Sequence, residues 1–151
     1  MKEITFRRTS GTNPEFLKLV TLLDASLAKT DGDLHDFYNQ FNGLENIKHV
    51  VVAFAEETPV ACGAIKTFEG PIAEVKRMYT LPAYRGKGVG SKILSNLESW
   101  AKELGFNSCV LETGKRQPDA IALYKKNGYF IIPQYGQYIG MENSVCFQKN
   151  L

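Results

Sequence analysis

The chain has 151 residues, 44% of them hydrophobic and 23% charged, and its 18 basic and 16 acidic residues give a net charge of +2. That balance suits one globular domain over 1–151 and excludes a disordered or fibrous chain, while so small a charge gives no argument for a nucleic-acid partner. No apolar run approaches the ~20 residues of a membrane span, and Met1-Lys2-Glu3-Ile4-Thr5 has no signal-like stretch, so a cytoplasmic location without a membrane partner is expected.

Residues 3–8 alternate and predict a short strand. Asn13-Pro14-Glu15 has the form of a helix start, and Phe16, Leu17, Leu19, Val20, Leu23 and Leu27 follow at helical spacing. A second short helix is expected from Asp33 to Phe41, with Asp33 as its cap. Val50 to Ala55 and Val60 to Phe68 are β-rich runs joined by the polar Glu56-Glu57-Thr58-Pro59, which predicts an antiparallel hairpin. A third strand runs from Ile72 to Leu81 and ends at Pro82. The long helix that follows, over 86–105, repeats Val89, Ile93, Leu97, Trp100 and Leu104 every three or four residues, with Gly105 as its stop.

Ser108 to Glu112 is the next strand. Pro118 then opens a helix whose apolar side carries Ala120, Ile121, Leu123 and Tyr124. Asn127-Gly128 ends it, Tyr129 to Ile132 returns to β structure, and Ser144 to Gln148 is a last short strand. The fold class is α/β, an α+β mixed sheet in the order β-α-α-β-β-β-α-β-α-β-β. Strand 72–81, helix 86–105 and strand 108–112 form one right-handed crossover within it. Cys62, Cys109 and Cys146 are odd in number, with no CxxC and no close Cys/His cluster. Neither disulfides nor a metal site is expected, and each thiol reads as a small buried hydrophobe.

The stretch richest in chemistry is Arg85-Gly86-Lys87-Gly88-Val89-Gly90-Ser91-Lys92, between a strand and the first turn of a helix. Backbone N–H groups there lack intrahelical partners, the helix dipole adds positive charge, and the glycines let a ligand approach the main chain. These features describe a pyrophosphate cradle. The dinucleotide fingerprint fails at Ser91 and at Ile93, and the triphosphate loop fails on the order Gly90-Ser91-Lys92. A plain flexible turn is the alternative reading of the loop alone.

Arg85-x-x-Gly88-x-Gly90 matches another pattern, Arg/Gln-x-x-Gly-x-Gly/Ala, and here the chain resembles the GCN5-related N-acetyltransferase (GNAT) superfamily. Ala73 to Thr80 is similar to that family's fourth strand, Leu111-Glu112-Thr113 to the end of its fifth, and Ala120-x-x-Leu123-Tyr124-x-x-x-Gly128-Tyr129 to a further family segment. The resemblance covers residues 48–148. It implies an acetyltransferase using acetyl-CoA, with no metal, whose pantetheine lies between the fourth and fifth strands. Backbone groups of Met78, Tyr79 and Thr80 would bind the pantetheine. The amides of Arg85, Gly86, Lys87, Gly88, Val89, Gly90 and Ser91 would hold the pyrophosphate. Gln117, where many members have asparagine, would contact the cofactor arm. On this reading a bulky β-branched residue at Gly88 blocks coenzyme A while leaving the fold intact.

The implied reaction is direct attack by an amine, aided by a general base and a general acid. Glu74 and Glu112 are the candidate bases, although either reads equally as an ordinary strand carboxylate and Glu74 can pair with Lys76. Tyr124 is the candidate acid for the leaving thiolate, or else a core residue of its helix. A covalent relay through Cys62 and His49 has no local signature. Asp31, Asp33, Asp36 and Glu45 would form an acidic rim that favours a cationic acceptor. The tail Pro133 to Asn143, with Tyr135 and Tyr138, reads as a lid, a hairpin loop or a contact in a homodimer. A small-molecule amine or amino acid is the preferred acceptor. A protein N-terminus or lysine, and a non-catalytic acyl-CoA sensor, are the alternatives.

Overall fold

The side chain of Asn13 starts the first helix, its Oδ1 accepting the N–H of Phe16 at 2.9 Å, and Pro14 takes the first helical position, where it has no N–H to leave unmatched. The computed structural model describes residues 3–31, 44 and 47–151. In chain order it shows β1 (Ile4–Thr9), α1 (Pro14–Asp31), β2 (His49–Ala55), β3 (Thr58–Glu69) and β4 (Ile72–Thr80). These are followed by α2 (Val89–Glu103), β5 (Ser108–Gly114), α3 (Pro118–Lys126), β6 (Phe130–Ile132) and β7 (Ser144–Asn150). Single 3₁₀ turns occupy Pro82–Tyr84 and Gly136–Tyr138.

The seven strands make one mixed sheet in the order β1-β2-β3-β4-β5-β7-β6. β4 and β5 are parallel and their neighbours antiparallel, so the expected mixed α/β class is what the chain adopts. β2 is apolar from Val50 to Ala55 because both its faces are covered. Val51, Ala53 and Ala55 join Ile93, Leu94, Leu97 and Ala101 of α2 on one face. Val50, Val52 and Phe54 join Phe16, Leu19 and Val20 of α1 on the other.

Several expectations shift. The helix predicted over 86–105 begins at Val89, residues 85–88 forming a turn ahead of it. The hairpin turn is only Glu56-Glu57, so Thr58 and Pro59 belong to β3. Leu17, placed on the apolar stripe of the first helix, is 38% exposed. Tyr129 precedes its strand rather than opening it, buried with its hydroxyl donated to Glu98 at 2.9 Å. The helix expected from Asp33 to Phe41 lies outside the described residues, as do Asp33, Asp36 and Glu45 of the acidic rim. Among the described residues, no helix is long and apolar enough to cross a membrane.

Two irregularities of β4 position everything that follows. Cys62 pairs with Tyr79 and Ala64 with Lys76, so Arg77 and Met78 together oppose Gly63 alone. This is a β-bulge, with Arg77 at a φ of 58°. Ala73 and Val75 face α2, and the inserted Arg77 passes that role to Met78. Three restraints surround the insertion: the Arg77 guanidinium pairs with Asp24 of α1 at 2.6 Å, the Cys62 thiol donates to the Arg77 carbonyl at 3.4 Å, and Gly63 leaves room for Met78. The second irregularity is that β4 and β5 pair only at Ile72–Ser108, Ala73–Cys109 and Glu74–Val110. Both strands run on, to Thr80 and Gly114.

A Cβ at Gly63 would lie 2.5 Å from Met78 Sδ, 2.8 Å from Ile93 Cγ2 and 2.9 Å from Leu97 Cδ1. Gly63→Val is therefore expected to lower unfolding stability by about 1–3 kcal/mol through overpacking, read as a lower urea midpoint. An unchanged midpoint would show that α2 moves aside freely.

Candidate active site

Where β4 and β5 part, an open cavity of about 120 Å³ passes between them, lined by residues from both faces of the sheet. Tyr124, Ala120 and Gln117 line it from α3 and its cap. Leu23 and Leu27 line it from α1, and Glu74, Lys76, Met78 and Glu112 come from the two strands. A larger cleft of about 640 Å³ lies on the helix side. Thr80, Arg85, Gly86, Gly88, Val89, Gly90 and Ser91 bound it on one flank, and Asp119, Leu123 and Lys126 of α3 on the other. Ala120 borders both spaces, so they adjoin.

The cleft opens on the N-terminus of α2. Gly88 is the cap residue, with no side chain to offer, and the first turn contains no acidic residue. The first intrahelical bond is from Lys92 N–H to the Gly88 carbonyl at 3.1 Å, which leaves the N–H groups of Val89, Gly90 and Ser91 without helical acceptors. Val89 buries its side chain and anchors the turn to the core. Ser91 Oγ accepts from Asn127 Nδ2 at 3.0 Å, tying α2 to the end of α3. Arg85 folds back, its Nε donating to the Thr80 carbonyl at 2.8 Å and its guanidinium 5.5 Å from the Tyr79 ring. Lys87 lies 5.7 Å from the Tyr84 ring. Beyond Glu74, the β5-facing edge of β4, including Met78, Tyr79 and Thr80, has no strand partner. These groups form an uncapped positive helix end joined to an open strand edge, which fits a phosphorylated, amide-bearing carrier.

Gly88 works differently from the sequence expectation. A Cβ there would meet nothing within 4 Å, but the residue sits at φ +82°. A side chain at this position therefore strains the backbone as well as obstructing the cleft, and the fold shares the cost.

Polar chemistry gathers on the α1 face of the slot, under the segment 133–141. Glu74 is 2% exposed, and its Oε2 accepts the Tyr135 hydroxyl at 2.7 Å. Glu112 stands two positions past the last β4–β5 pair, its Oε2 accepting the Ser144 hydroxyl at 2.6 Å. Lys76 does not bond to Glu74, as the strand spacing allowed. Its Nζ donates to the Tyr138 hydroxyl at 3.2 Å. Tyr138 of the tail thus lines the cavity, in edge-on contact with Tyr135, 5.6 Å between centroids.

Tyr124 approaches from the opposite face. It is 6% exposed and packs beside Tyr129 and Phe147. Among the described residues, no group hydrogen-bonds its hydroxyl. Burial first, and the negative charge of Glu112 second, hold its pKa above the ordinary tyrosine value. The slot therefore brings together Glu74, Glu112, Met78, Gln117 and Tyr124 of the predicted set, and the adjoining cleft collects Thr80, Arg85, Gly86, Gly88, Val89, Gly90 and Ser91. Cys62 and His49 are not brought together, since Cys62 pairs with Val52 and His49 with Ile65, its ring edge-on to Trp100. Lys76, Lys126, Ser144 and the α1 leucines are site residues that the sequence reading missed. Only the position of Lys76, two residues from Glu74 on the same face, was a signal in the sequence.

Comparison with known proteins makes this chain, with its sheet parted between two central parallel strands and a glycine-capped helix beside the gap, an acyltransferase. The profile of the acetyltransferase (GNAT) family matches residues 16–129, and the chain belongs to that family. An IAA acetyltransferase of Azospirillum brasilense is 34% identical over the whole of both chains. An N-acetyltransferase of Escherichia coli, YjgM, itself uncharacterized, is 44% identical over 82% of this chain and 79% of its own. Among solved structures, a candidate acyl-CoA N-acyltransferase of Klebsiella pneumoniae superposes with a TM-score of 0.82 at 31% identity, covering 98% of this chain and 97% of that one. The PaiA N-acetyltransferase of Thermoplasma acidophilum, in complex with coenzyme A, shares the fold with a TM-score of 0.74 at 20% identity over 99% of each chain.

Cys62, Cys109 and Cys146 are all buried. Burial pushes the Cys62 thiol up to about 12 and the Cys109 thiol up to about 11, and raises Cys146 as well. At about pH 8 all three should resist Ellman's reagent in the native protein and react once it is denatured. A fast-reacting native thiol would contradict this burial.

Proposed function

We propose that residues 1–151 act as one N-acetyltransferase domain that transfers acetyl from acetyl-CoA directly to the primary amine of a small molecule. The observation that carries this reading is the uncapped N-terminus of α2 opening on a cleft that adjoins the slot between β4 and β5. The coenzyme A complex of a protein with the same fold supports it. Acetyl-CoA supplies an activated acyl group on a thiol that leaves.

The chain's own groups divide the remaining work. The N–H groups from Gly86 to Ser91 hold the pyrophosphate, that of Arg85 donating instead to the Pro82 carbonyl at 3.3 Å, with Lys126 facing them across the cleft. The open edge of Met78, Tyr79 and Thr80 hydrogen-bonds the pantetheine amides as a strand would, and a main-chain N–H in this stretch stabilises charge developing on the thioester oxygen. Gln117, at the cap of α3, contacts the same arm. Glu112 takes the proton from the acceptor ammonium, standing in the parted region where its charge reaches Tyr124. Glu74, at the last paired position and bonded to Tyr135, orients the tail beside the site. Tyr124 keeps its proton because it is buried, and gives it to the departing thiolate.

Tyr124→Phe should lower kcat about 100-fold with coenzyme A affinity unchanged, measured by release of free thiol and by calorimetry. An unchanged kcat removes Tyr124 from the mechanism. Because its pKa lies above 10.0, the phenol stays protonated through the range where a free tyrosine ionises. The kcat profile should therefore show no fall centred on pH 10, and such a fall would assign the proton to another group. Glu112→Gln should depress kcat/KM more than Glu74→Gln, and the reverse order would exchange the two roles. Gly88→Val should lose coenzyme A binding by calorimetry and also melt lower than the parent. Retained affinity would exclude the helix end as the diphosphate site.

A further inference from the structure

Lys76 is a buried lysine of the slot that the proposed reaction leaves without a task. It is 8% exposed and lines the inner cavity. Its ammonium has one hydrogen bond, to the neutral hydroxyl of Tyr138, with the Tyr138 ring centroid 5.9 Å away. Among the described residues it forms no ion pair, whereas the two other cations held against the core do. Arg77 pairs with Asp24, and Lys149 with Glu98. The nearest carboxylates are committed to hydroxyl donors, Glu74 to Tyr135 and Glu112 to Ser144. A buried cation with carboxylates nearby but none in contact gains from a ligand that brings an anion onto it. Burial accordingly pulls the Lys76 pKa down, with Glu74 and Glu112 opposing the fall and Lys66 and Arg77 adding to it.

Position says where that anion belongs. Glu74 and Lys76 lie on the α1 face of β4, Glu112 on the same face of β5, and the slot runs between them. The apolar wall is Leu23 and Leu27 of α1. The site therefore offers a cation and a carboxylate side by side, which complements a zwitterion. We propose that Lys76 binds a carboxylate of the acceptor, so that the substrate class is an aminocarboxylate, its anionic end on Lys76 and its ammonium on Glu112. This rests on the amine-transfer reading above and narrows it.

The test is turnover of the full chain with acetyl-CoA on matched pairs, each an amino acid beside its methyl ester and its decarboxylated amine. The acids should be preferred by about 30-fold or more in kcat/KM, the scale of removing one partner from a desolvated charge pair. Lys76→Met should erase that preference by raising KM for the acids far more than for the matched esters, and Lys76→Arg should restore part of it. Equal use of acids and esters by the parent overturns the proposal, as does an acid preference that survives in Lys76→Met. The parent panel needs no variant to fold. Absence of turnover on every amine overturns the transfer reading and this proposal with it, whereas turnover that ignores the carboxylate overturns this proposal alone.

Discussion

The parallel pairing of β4 with β5 stops at Glu74 and Val110 while both strands continue, and the two faces of the sheet meet through the gap this leaves. Its cause lies in β4. The extra residue at Arg77 bends the strand and resets which side chains face α2, while β5 stays fully paired with β7 up to Gly114. One strand turns away and its neighbour is held, so a wedge opens. The bulge in turn depends on what surrounds it: a glycine opposite, a thiol donating to its carbonyl, and an ion pair to α1. Replacing any of these acts on the site without touching a group that lines the helix-side cleft.

The wedge also separates two electrostatic environments. On the helix side, free N–H groups at the start of α2 present partial positive charge to a cleft without an acidic residue in the first helical turn. On the α1 side, two carboxylates and a lysine share a buried pocket in which tyrosine and serine hydroxyls satisfy much of the polarity. Tyr124 spans the divide, protonated because it is buried yet close enough to feel Glu112. On the proposed reading, the group that gives a proton and the group that takes one approach the same bond from opposite faces. A sheet closed between β4 and β5 would keep them apart.

The segment 133–141, whose sequence left open a lid, a hairpin loop or a dimer contact, packs against the slot. Its tyrosines bind the side chains of Glu74 and Lys76, which on the proposed reading makes it part of the acceptor pocket. The pairing of α1 with the bulge through Asp24 and Arg77 has a similar effect from the other side. The two elements that flank this face of the slot are thus each joined to β4 by a polar side-chain contact. The geometry of the slot and the shape of the pocket are consequently linked.

Local pattern alone determined the helices around Phe16, Ile93 and Tyr124, the β2–β3 hairpin, and the glycine loop Arg85 to Lys92. Each of these is decided by neighbours within one or two turns of chain: apolar spacing, a cap, or a glycine where φ must be positive. The family was legible for the same reason, because its motifs are short and contiguous. Tertiary structure alone decided the insertion of β7 between β5 and β6, the parting of β4 from β5, and the partners of Glu74, Lys76 and Glu112. Those partners lie 61, 62 and 32 positions away along the chain. No periodicity carries such information, since a hydroxyl and a carboxylate so distant meet only after the sheet order has been set and the burial of both has made their hydrogen bond worth forming.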